Sequence, residues 1–371
     1  WYGGGPGFFY GGHNRSGLVV AQGLYDGHGA GLGATPTRDG VHCGGNMNIP
    51  SGGISDVERI EMQYPFIYFT RNLHRDGGAP GKYAGGAGSF RIYMIYGSQD
   101  CSVSYRPYSR MPEGVGLAGG HPAGIGGIRA IFETAGSPIM PRLRSGSYPT
   151  QPEEIESGEW GSVNHPKEMH GRVPLPEFCI VADFVPGGSG YGDPLDREPD
   201  RVARDVRVGI VSPRVANEVY GVVLRRENYP PDREATAKRR REIRDNRLRE
   251  GKAHAGSTSG LSESIRGLAG WKETLRFHEV LAVMQHKAVQ VIGCVRCGHL
   301  FCRAKDNYKR FALRRARDLL ELAHRTVPSG ESYIGGYYEY YCPGCATLLQ
   351  VDTFCSLLPA SHEPLKDFEP V

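Results

Sequence analysis

Two Cys-x-x-Cys pairs, Cys294/Cys297 and Cys342/Cys345, carry the clearest chemistry in the sequence. A Cys-x-x-Cys turn sets two thiolates on one side of a tight knuckle. Two knuckles complete a tetrahedral four-sulfur shell, which suits zinc. Gly298 and Gly344 stand where such a knuckle needs an unusual backbone. A closed four-cysteine shell leaves no position for substrate, so the expected role is structural rather than catalytic. The competing readings are four unliganded thiols or a redox pair. His299, Cys302 and Cys355 are nearby spare donors for which packing or surface roles are expected.

Other residues offer less specific chemistry. Asp39 and His42 are candidates for proton transfer, and His28 for a metal, each set against a structural or solvated role. Gly187, Gly188, Gly190 and Asp193 lie in GGSGYGDP, a loop ahead of an expected helix. Its backbone N–H groups could cradle a phosphate. The lysine context of a P-loop is missing, so a plain turn competes with that reading. Asp76 beside Gly77 and Gly78 is expected to be a turn residue. The arginine run at 239–249 could meet RNA or a partner subunit. Interleaved acids favour a solvated helical face.

These residues need elements to position them. VERIEMQYPFIYFTRNL at 57–73 is β-prone around Pro65 and predicts a strand entering a turn. FRIYMIY at 90–96 alternates in strand fashion, and FCIVADFV at 178–185 predicts a buried strand. A helix is expected from near Pro199, with Val202, Val206 and Ile210 on one face. Ser212-Pro213 reads as an N-cap with proline at the first helical position, and Gly221 as that helix's stop. The charged run at 230–252 predicts an exposed helix, followed by a soft linker, HAGSTSG, at 254–260. Between the cysteine pairs a helix is expected near 308–325, with Ala312, Ala316, Leu319, Leu320 and Ala323 as its apolar stripe.

At 371 residues the chain is long enough for two or three domains. Its 53 glycines and 26 prolines, spread among aromatic and β-branched residues, predict many short strands and tight turns. Net charge is +4, all of it contributed by 230–252, which argues against a broad basic nucleic-acid face. Six of the nine cysteines follow residue 290; that clustering favours metal binding in a reducing cytosol over a disulfide framework. No apolar run of about eighteen residues is present, so no membrane span is expected. No secretory leader is visible, and the chain begins at Trp1 rather than at methionine.

The tail resembles the small zinc-binding subunit of acetone and acetophenone carboxylases, through CGHLFCRAKDNYKRFALRRARD at 297–318, YEYYCPGCATLLQVD at 338–352 and FEP at 368–370. The larger part resembles the hydantoinase B family. Its landmarks here are RDGVHCG (38–44), VERIEMQYP (57–65), RDGGAPGKYAGGAGSFR (75–91) and the stretch from GGSGYGDP to YGVVL (187–224). Ala84 departs from the arginine usual in that family before Gly85-Gly86. The resemblance implies an α+β fold: a β-rich, glycine-rich C-terminal half of a hydantoinase B-type subunit over 1–229, a charged helical linker over 230–274, and a small zinc-ribbon-like domain over 275–371. Large and small subunits would then be fused on one chain.

By the same resemblance, the chain would be a subunit of an ATP-dependent ketone carboxylase that joins a small ketone and bicarbonate into a β-keto acid. Its partner would be a hydantoinase A-type ATP-binding subunit in a cytoplasmic hetero-oligomer, without nucleic acid or membrane. Zinc would be structural. ATP with manganese or magnesium would serve the complex, through ligands that are not on this portion of chain. An ATP-linked hydantoinase or oxoprolinase-type amide hydrolase is the alternative, and a non-catalytic zinc-stabilised assembly subunit is a third reading.

Overall fold

The computed structural model describes residues 8–23, 29–45, 56–105, 114–124, 127–131, 137–163, 172–253, 256–321 and 334–357. His28, Ala323 and the FEP segment at 368–370 lie outside them. Strands and helices are numbered in chain order. One sheet has the order β2-β1-β5-β7, from Phe8–His13 (β1), Val19–Gly23 (β2), Ser102–Tyr105 (β5) and Arg172–Pro174 (β7). A second has the order β3-β4-β8-β6, from Phe66–Leu73 (β3), Ser89–Ile95 (β4), Gly127–Ile131 (β6) and Ile180–Phe184 (β8). The fold is mixed and sheet-rich, as the composition suggests.

The central strands β4 and β8 are buried at every position, so both of their faces find a core. Alternation decides which one. Tyr93, Ile95 and Val181 pack with Tyr10 and Phe66. Phe90, Ile92, Ala182 and Phe184 pack on the other side with Ile139 and Trp160. Two short helices, α2 (Ile139–Arg144) and α3 (Pro152–Glu156), cover that second face. Arg91 and Asp183 sit directly opposite in register and form a buried ion pair.

The segment expected to be one strand at 57–73 divides in two. Val57–Gln63 is helix α1, because Asp56 caps it, accepting from the backbone N–H of Glu58 at 2.9 Å. Tyr64 is extended ahead of Pro65, which ends the helix, and β3 begins at Phe66. Farther on, α4 (Pro199–Arg207) buries Val202 and Val206, while Ile210 lies past its end and packs against the same cluster. In α5 (Pro213–Glu218) the Ser212 hydroxyl accepts from Val215 N at 3.2 Å, and Gly221 follows at φ +60°. The charged run forms α6 (Arg233–Glu250), capped by Asp232 through Ala235 N at 3.0 Å.

The chain leading into β4 and the chain leaving β8 join a stack of glycine-rich segments. Gly86 N donates to Leu32 O at 2.9 Å, Gly188 N to Gly86 O at 2.9 Å, and Ala79 N to Gly188 O at 3.0 Å. A Cβ added to Gly188 would sit 2.0 Å from Leu32 O, so only glycine allows that approach.

Two further sheets form the rest. Their orders are β10-β11-β12-β13 and β16-β15-β14-β9. The first uses Lys272–Arg276 (β10), Leu281–His286 (β11), Val289–Cys294 (β12) and Leu300–Arg303 (β13). The second uses Lys252–Ala253 (β9), Leu313–Asp318 (β14), Gly335–Tyr341 (β15) and Leu348–Cys355 (β16). A short helix, α7 (Glu263–Arg266), precedes β10. Leu281, Ile292, Phe301, Tyr340 and Leu349 share one core. The segment 254–260, expected to be a linker, separates β9 from β10 in sequence, yet β9 adds to a sheet whose other strands follow that segment.

Over 308–321, the described part of the stretch 308–325 where a helix is expected, that helix is not formed. Tyr308–Phe311 is a single 3-10 turn, and Leu313–Asp318 is β14. Ala312 and Leu319 are buried but Ala316 is exposed, so among the described residues the expected stripe is interrupted. Leu, Ala and Arg favour helix in isolation. Here β15 pairs with β14 along its whole length and β9 pairs with its first two residues, and that pairing overrides propensity.

Candidate metal centre and the junction beneath it

Each cysteine pair occupies a turn between two strands. Cys294 ends β12 and the chain returns in β13; Cys342 follows β15 and the chain returns in β16. The turns have the same bonding. Gly298 N donates to Cys294 O at 2.8 Å, and Ala346 N donates to Cys342 O at 2.9 Å. Cys294 N donates to His299 O at 2.8 Å, and Cys342 N donates to Thr347 O at 2.9 Å. The residue after the second cysteine is left-handed in both, Gly298 at φ +77° and Ala346 at φ +56°. Gly344 matters for space instead: a Cβ there would stand 2.7 Å from Cys297 Sγ.

The four sulfurs lie within 4.8 Å of one another. Cys294 and Cys345 are 3.9 Å apart, and Cys297 and Cys342 are 3.6 Å apart. A tetrahedron with zinc–sulfur arms of about 2.3 Å has edges of about 3.8 Å. A disulfide would need about 2.05 Å, and all nine cysteines are free thiols. Thiols this close compete for charge. Hydrogen bonding from Cys297 draws the Cys294 thiol down to about 7, while hydrogen bonding to Cys294 pushes the Cys342 thiol far above its ordinary range. A bound divalent cation removes that competition by neutralising the thiolates together. The donor set therefore fits a tetrahedral metal ion. The spare donors are elsewhere engaged: His299 Nε2 bonds Thr258 O at 2.9 Å, and Cys302 Sγ points to Asp306 O at 3.7 Å. Neither they nor Cys355 belong to the cluster.

Directly behind the second knuckle is the end of the glycine-rich loop. Asp193 is buried and accepts from Arg247 Nη1 at 2.7 Å and Nη2 at 3.1 Å, from Leu348 N at 2.9 Å and from Leu195 N at 3.0 Å. Burial alone would raise this carboxyl, but the Arg247 charge and hydrogen bonds outweigh it and hold it below the usual range. Arg247 Nη1 also donates to Ala346 O at 3.1 Å. Asp196 meets Arg296, inside the first knuckle, at 2.6 Å. Gly119, at φ +95°, allows Leu348 O to approach where a Cβ would be 2.1 Å away.

Asp193 is thus an anion held by an arginine, not part of a cradle for one. The loop's amides are also committed: Gly188 N to Gly86 O, and Gly190 N to His121 O at 3.0 Å. A Cβ at Gly187 would meet Gly77 O at 1.9 Å and one at Gly190 would meet Pro80 O at 2.1 Å, so packed backbone fills the space a phosphate would need. Asp39 is likewise engaged. Arg197 grips it with two nitrogens at 2.7 and 3.0 Å, Arg201 adds a contact at 2.8 Å, and Ala84 N donates at 2.8 Å. Burial opposes ionisation of Asp39, but the Arg197 hydrogen bond and charge prevail and lower its pKa. That makes it a weak proton acceptor near neutrality. His42 Nδ1 accepts from Ala87 N at 2.9 Å, and burial lowers its pKa. These two residues therefore brace loops.

Sequence reasoning did not single out Arg197, Arg247 or Arg296. A signal existed for Arg247. Arg240, Arg244 and Arg247 follow i, i+4, i+7 spacing and share one face of α6. Arg240 reaches Arg197 O and Tyr220 O, Arg244 reaches Asp196, and Arg247 reaches Asp193.

Known proteins divide along the same junction. Residues 2–194 match the Hydantoinase B/oxoprolinase family, and residues 271–371 match the acetone carboxylase gamma subunit family. The first match spans more than half of the chain, which belongs to the Hydantoinase B/oxoprolinase family. The acetone carboxylase alpha subunit of Xanthobacter autotrophicus is 31% identical over 248 residues, covering 64% of this chain and 32% of that protein. The acetophenone carboxylase delta subunit of Aromatoleum aromaticum is 26% identical over 225 residues, covering 59% and 33%. A nucleotide-free structure of acetone carboxylase superposes with a TM-score of 0.59 at 28% identity, covering 67% of this chain and 34% of that one. The chain thus spans about a third of the length of these relatives. Among the described residues no helix is long and apolar enough to cross a membrane.

Proposed function

We propose that this chain contributes to an ATP-dependent ketone carboxylase that joins a small ketone and bicarbonate into a β-keto acid. The observation that carries this reading is the pairing of two parts on one chain: a hydantoinase B-type part and a part matching the acetone carboxylase gamma subunit. Hydantoinase B kinship alone would equally suit an amide-ring hydrolase; the gamma-type tail favours the carboxylase. A hydantoinase A-type ATP-binding subunit would be the partner, in a hetero-oligomer in the reducing cytosol.

Within that complex Cys294, Cys297, Cys342 and Cys345 would hold zinc. Four protein sulfurs fill a tetrahedral shell, so the ion would brace the tail and take no substrate. The described residues would shape and stiffen the large part, with Asp39 and Asp193 as ionic anchors. Proton transfer and phosphoryl chemistry would fall to groups elsewhere in the complex.

The test is an assay of the full complex supplied with ATP, bicarbonate and either acetone or acetophenone. Ketone-dependent ATP turnover with appearance of the β-keto acid supports the carboxylase. Turnover that requires hydantoin and ignores both ketones would replace it with the amide-ring hydrolase.

A further inference from the structure

A line of polar contacts joins the cysteine site to the far half of the molecule. The Thr347 hydroxyl lies 3.2 Å from Cys345 Sγ. Arg296 Nη1 donates to that same hydroxyl oxygen at 2.9 Å, leaving the hydroxyl hydrogen for the sulfur. Arg296 also meets Asp196 through both η nitrogens, at 3.2 and 2.6 Å. Asp196 ends the 3-10 turn Pro194–Asp196, whose N-cap is Asp193.

The placement of these residues gives the line its meaning. Arg296 stands between Cys294 and Cys297, so the first knuckle fixes its backbone. Thr347 stands two residues after Cys345, so the second knuckle fixes that hydroxyl. One guanidinium therefore spans both knuckles and a carboxylate of the other half. On either side of Thr347, Ala346 O accepts from Arg247 and Leu348 N donates to Asp193. If the knuckles part, Arg296 cannot reach Thr347 and Asp196 together.

We propose that Arg296, Thr347 and Asp196 are positioning residues for the cysteine site, tying retention of its metal to the end of the glycine-rich loop. This rests on the reading of the four cysteines as a metal site. Arg296 orients the Thr347 hydroxyl onto Cys345, and a donor on a ligating thiolate tunes and holds that ligand. Asp196 fixes the guanidinium in turn. Asp196 lies outside the gamma-type match and two residues past the end of the hydantoinase B match, so the tail borrows part of its metal site from chain outside itself. Coupling of this kind is reciprocal: a bound metal also stiffens the turn at 193–196.

The experiment uses the intact chain loaded with zinc and follows transfer of the ion to a chromogenic chelator. Amide hydrogen exchange at 193–197 is measured with and without zinc. Asp196→Asn, Arg296→Lys and Thr347→Val are each expected to speed release about tenfold, the lower end for partners behind a metal ligand. Arg276→Gln, which disturbs an exposed pair with Glu273, is expected to match the wild type. Removing zinc should raise exchange at 193–197. Arg296→Lys keeps the charge and remains informative should Asp196→Asn fail to fold. Zinc bound stoichiometrically, but released at wild-type rates by the variants with unchanged exchange, would overturn the coupling. A wild-type chain that takes up no zinc would overturn the metal reading itself, and this inference with it.

Discussion

The cysteine knuckles hold their shape through what their side chains donate, whereas the glycine-rich stack holds its shape through side chains it lacks. Four sulfurs gather within 4.8 Å around a space fit for a cation. Across the junction, Gly188 lets a backbone oxygen come so near that a Cβ would stand 2.0 Å from it. The first arrangement depends on a ligand and on ionisation. The second depends only on close packing of backbone. The two should therefore fail in different ways, and the expected effects can be ranked.

The largest effect belongs to the zinc that the four cysteines are proposed to hold. Structural zinc in small domains contributes roughly 10 kcal/mol or more, against a total stability of about 5–15 kcal/mol for an ordinary domain. Cys297→Ser or Cys342→Ser should lose the zinc and loosen residues 272–355, as read by metal analysis and limited proteolysis. The glycine-rich half should keep its near-ultraviolet signature. A metal-free tail that stays fully folded would remove the contrast between the two regions.

Next comes the buried pair that joins them. Asp193→Asn leaves the Arg247 charge buried without its anion, a loss of about 3–5 kcal/mol. Adding Arg247→Met should recover part of it, since an apolar partner needs no counter-charge. Acid makes the same test in the wild type. Burial raises the Asp193 carboxyl and Arg247 more than reverses this, so the folded pKa lies below the unfolded value of 3.8. The contribution is then fully present above about pH 4 and is lost as pH falls through the folded value. Denaturation midpoints should drop along that limb, and Asp193→Asn should flatten it.

How far these features could be read beforehand follows from the same difference. Cysteine spacing names its chemistry, because thiolates at fixed separations have few uses. Ser212-Pro213 likewise announced a helix start that the structure contains. The glycine motif was visible, but its meaning depends on which backbone approaches it, and Leu32 is more than 150 residues away in sequence. Local propensity misled where distant partners decide: β15 turned Leu313–Asp318 into a strand. It also misled at Val57–Gln63, where the cap at Asp56 outweighed β-prone residues. Among the many arginines of α6, burial of Arg247 was legible only as a periodic face.

Third in size are the glycines. Gly188→Ala drives a methyl group into a backbone oxygen that has no rotamer to move to. Overpacking costs about 1–3 kcal/mol, and this site belongs at the upper end. Gly11→Ala, with only Ser102 Oγ at 3.8 Å, should be neutral or stabilise by under about 1 kcal/mol. Urea unfolding of the two variants measures the difference. Equal effects would mean that the stack yields, and its role as rigid packing would fall.

The smallest effect compares the knuckles with each other. Both need a left-handed residue after the second cysteine, and only the first uses glycine. Ala346→Gly removes a conformational penalty of roughly 1–2 kcal/mol. Against this stand about 0.5–1 kcal/mol of extra unfolded-chain entropy and about 0.8 kcal/mol for a lost buried methyl group. Ala346 is fully buried, so that last contribution applies in full and the sum is near zero. Gly298→Ala incurs the conformational penalty, recovers the entropy, and gains no contact, because nothing lies within 4 Å of the new Cβ. It should lose about 0.5–1 kcal/mol. Melting of the zinc-saturated protein would resolve the pair. A larger loss for Ala346→Gly would mean that the second knuckle is held by packing against the junction rather than by the metal-site turn alone, and the two knuckles would then differ in kind despite their matching hydrogen bonds.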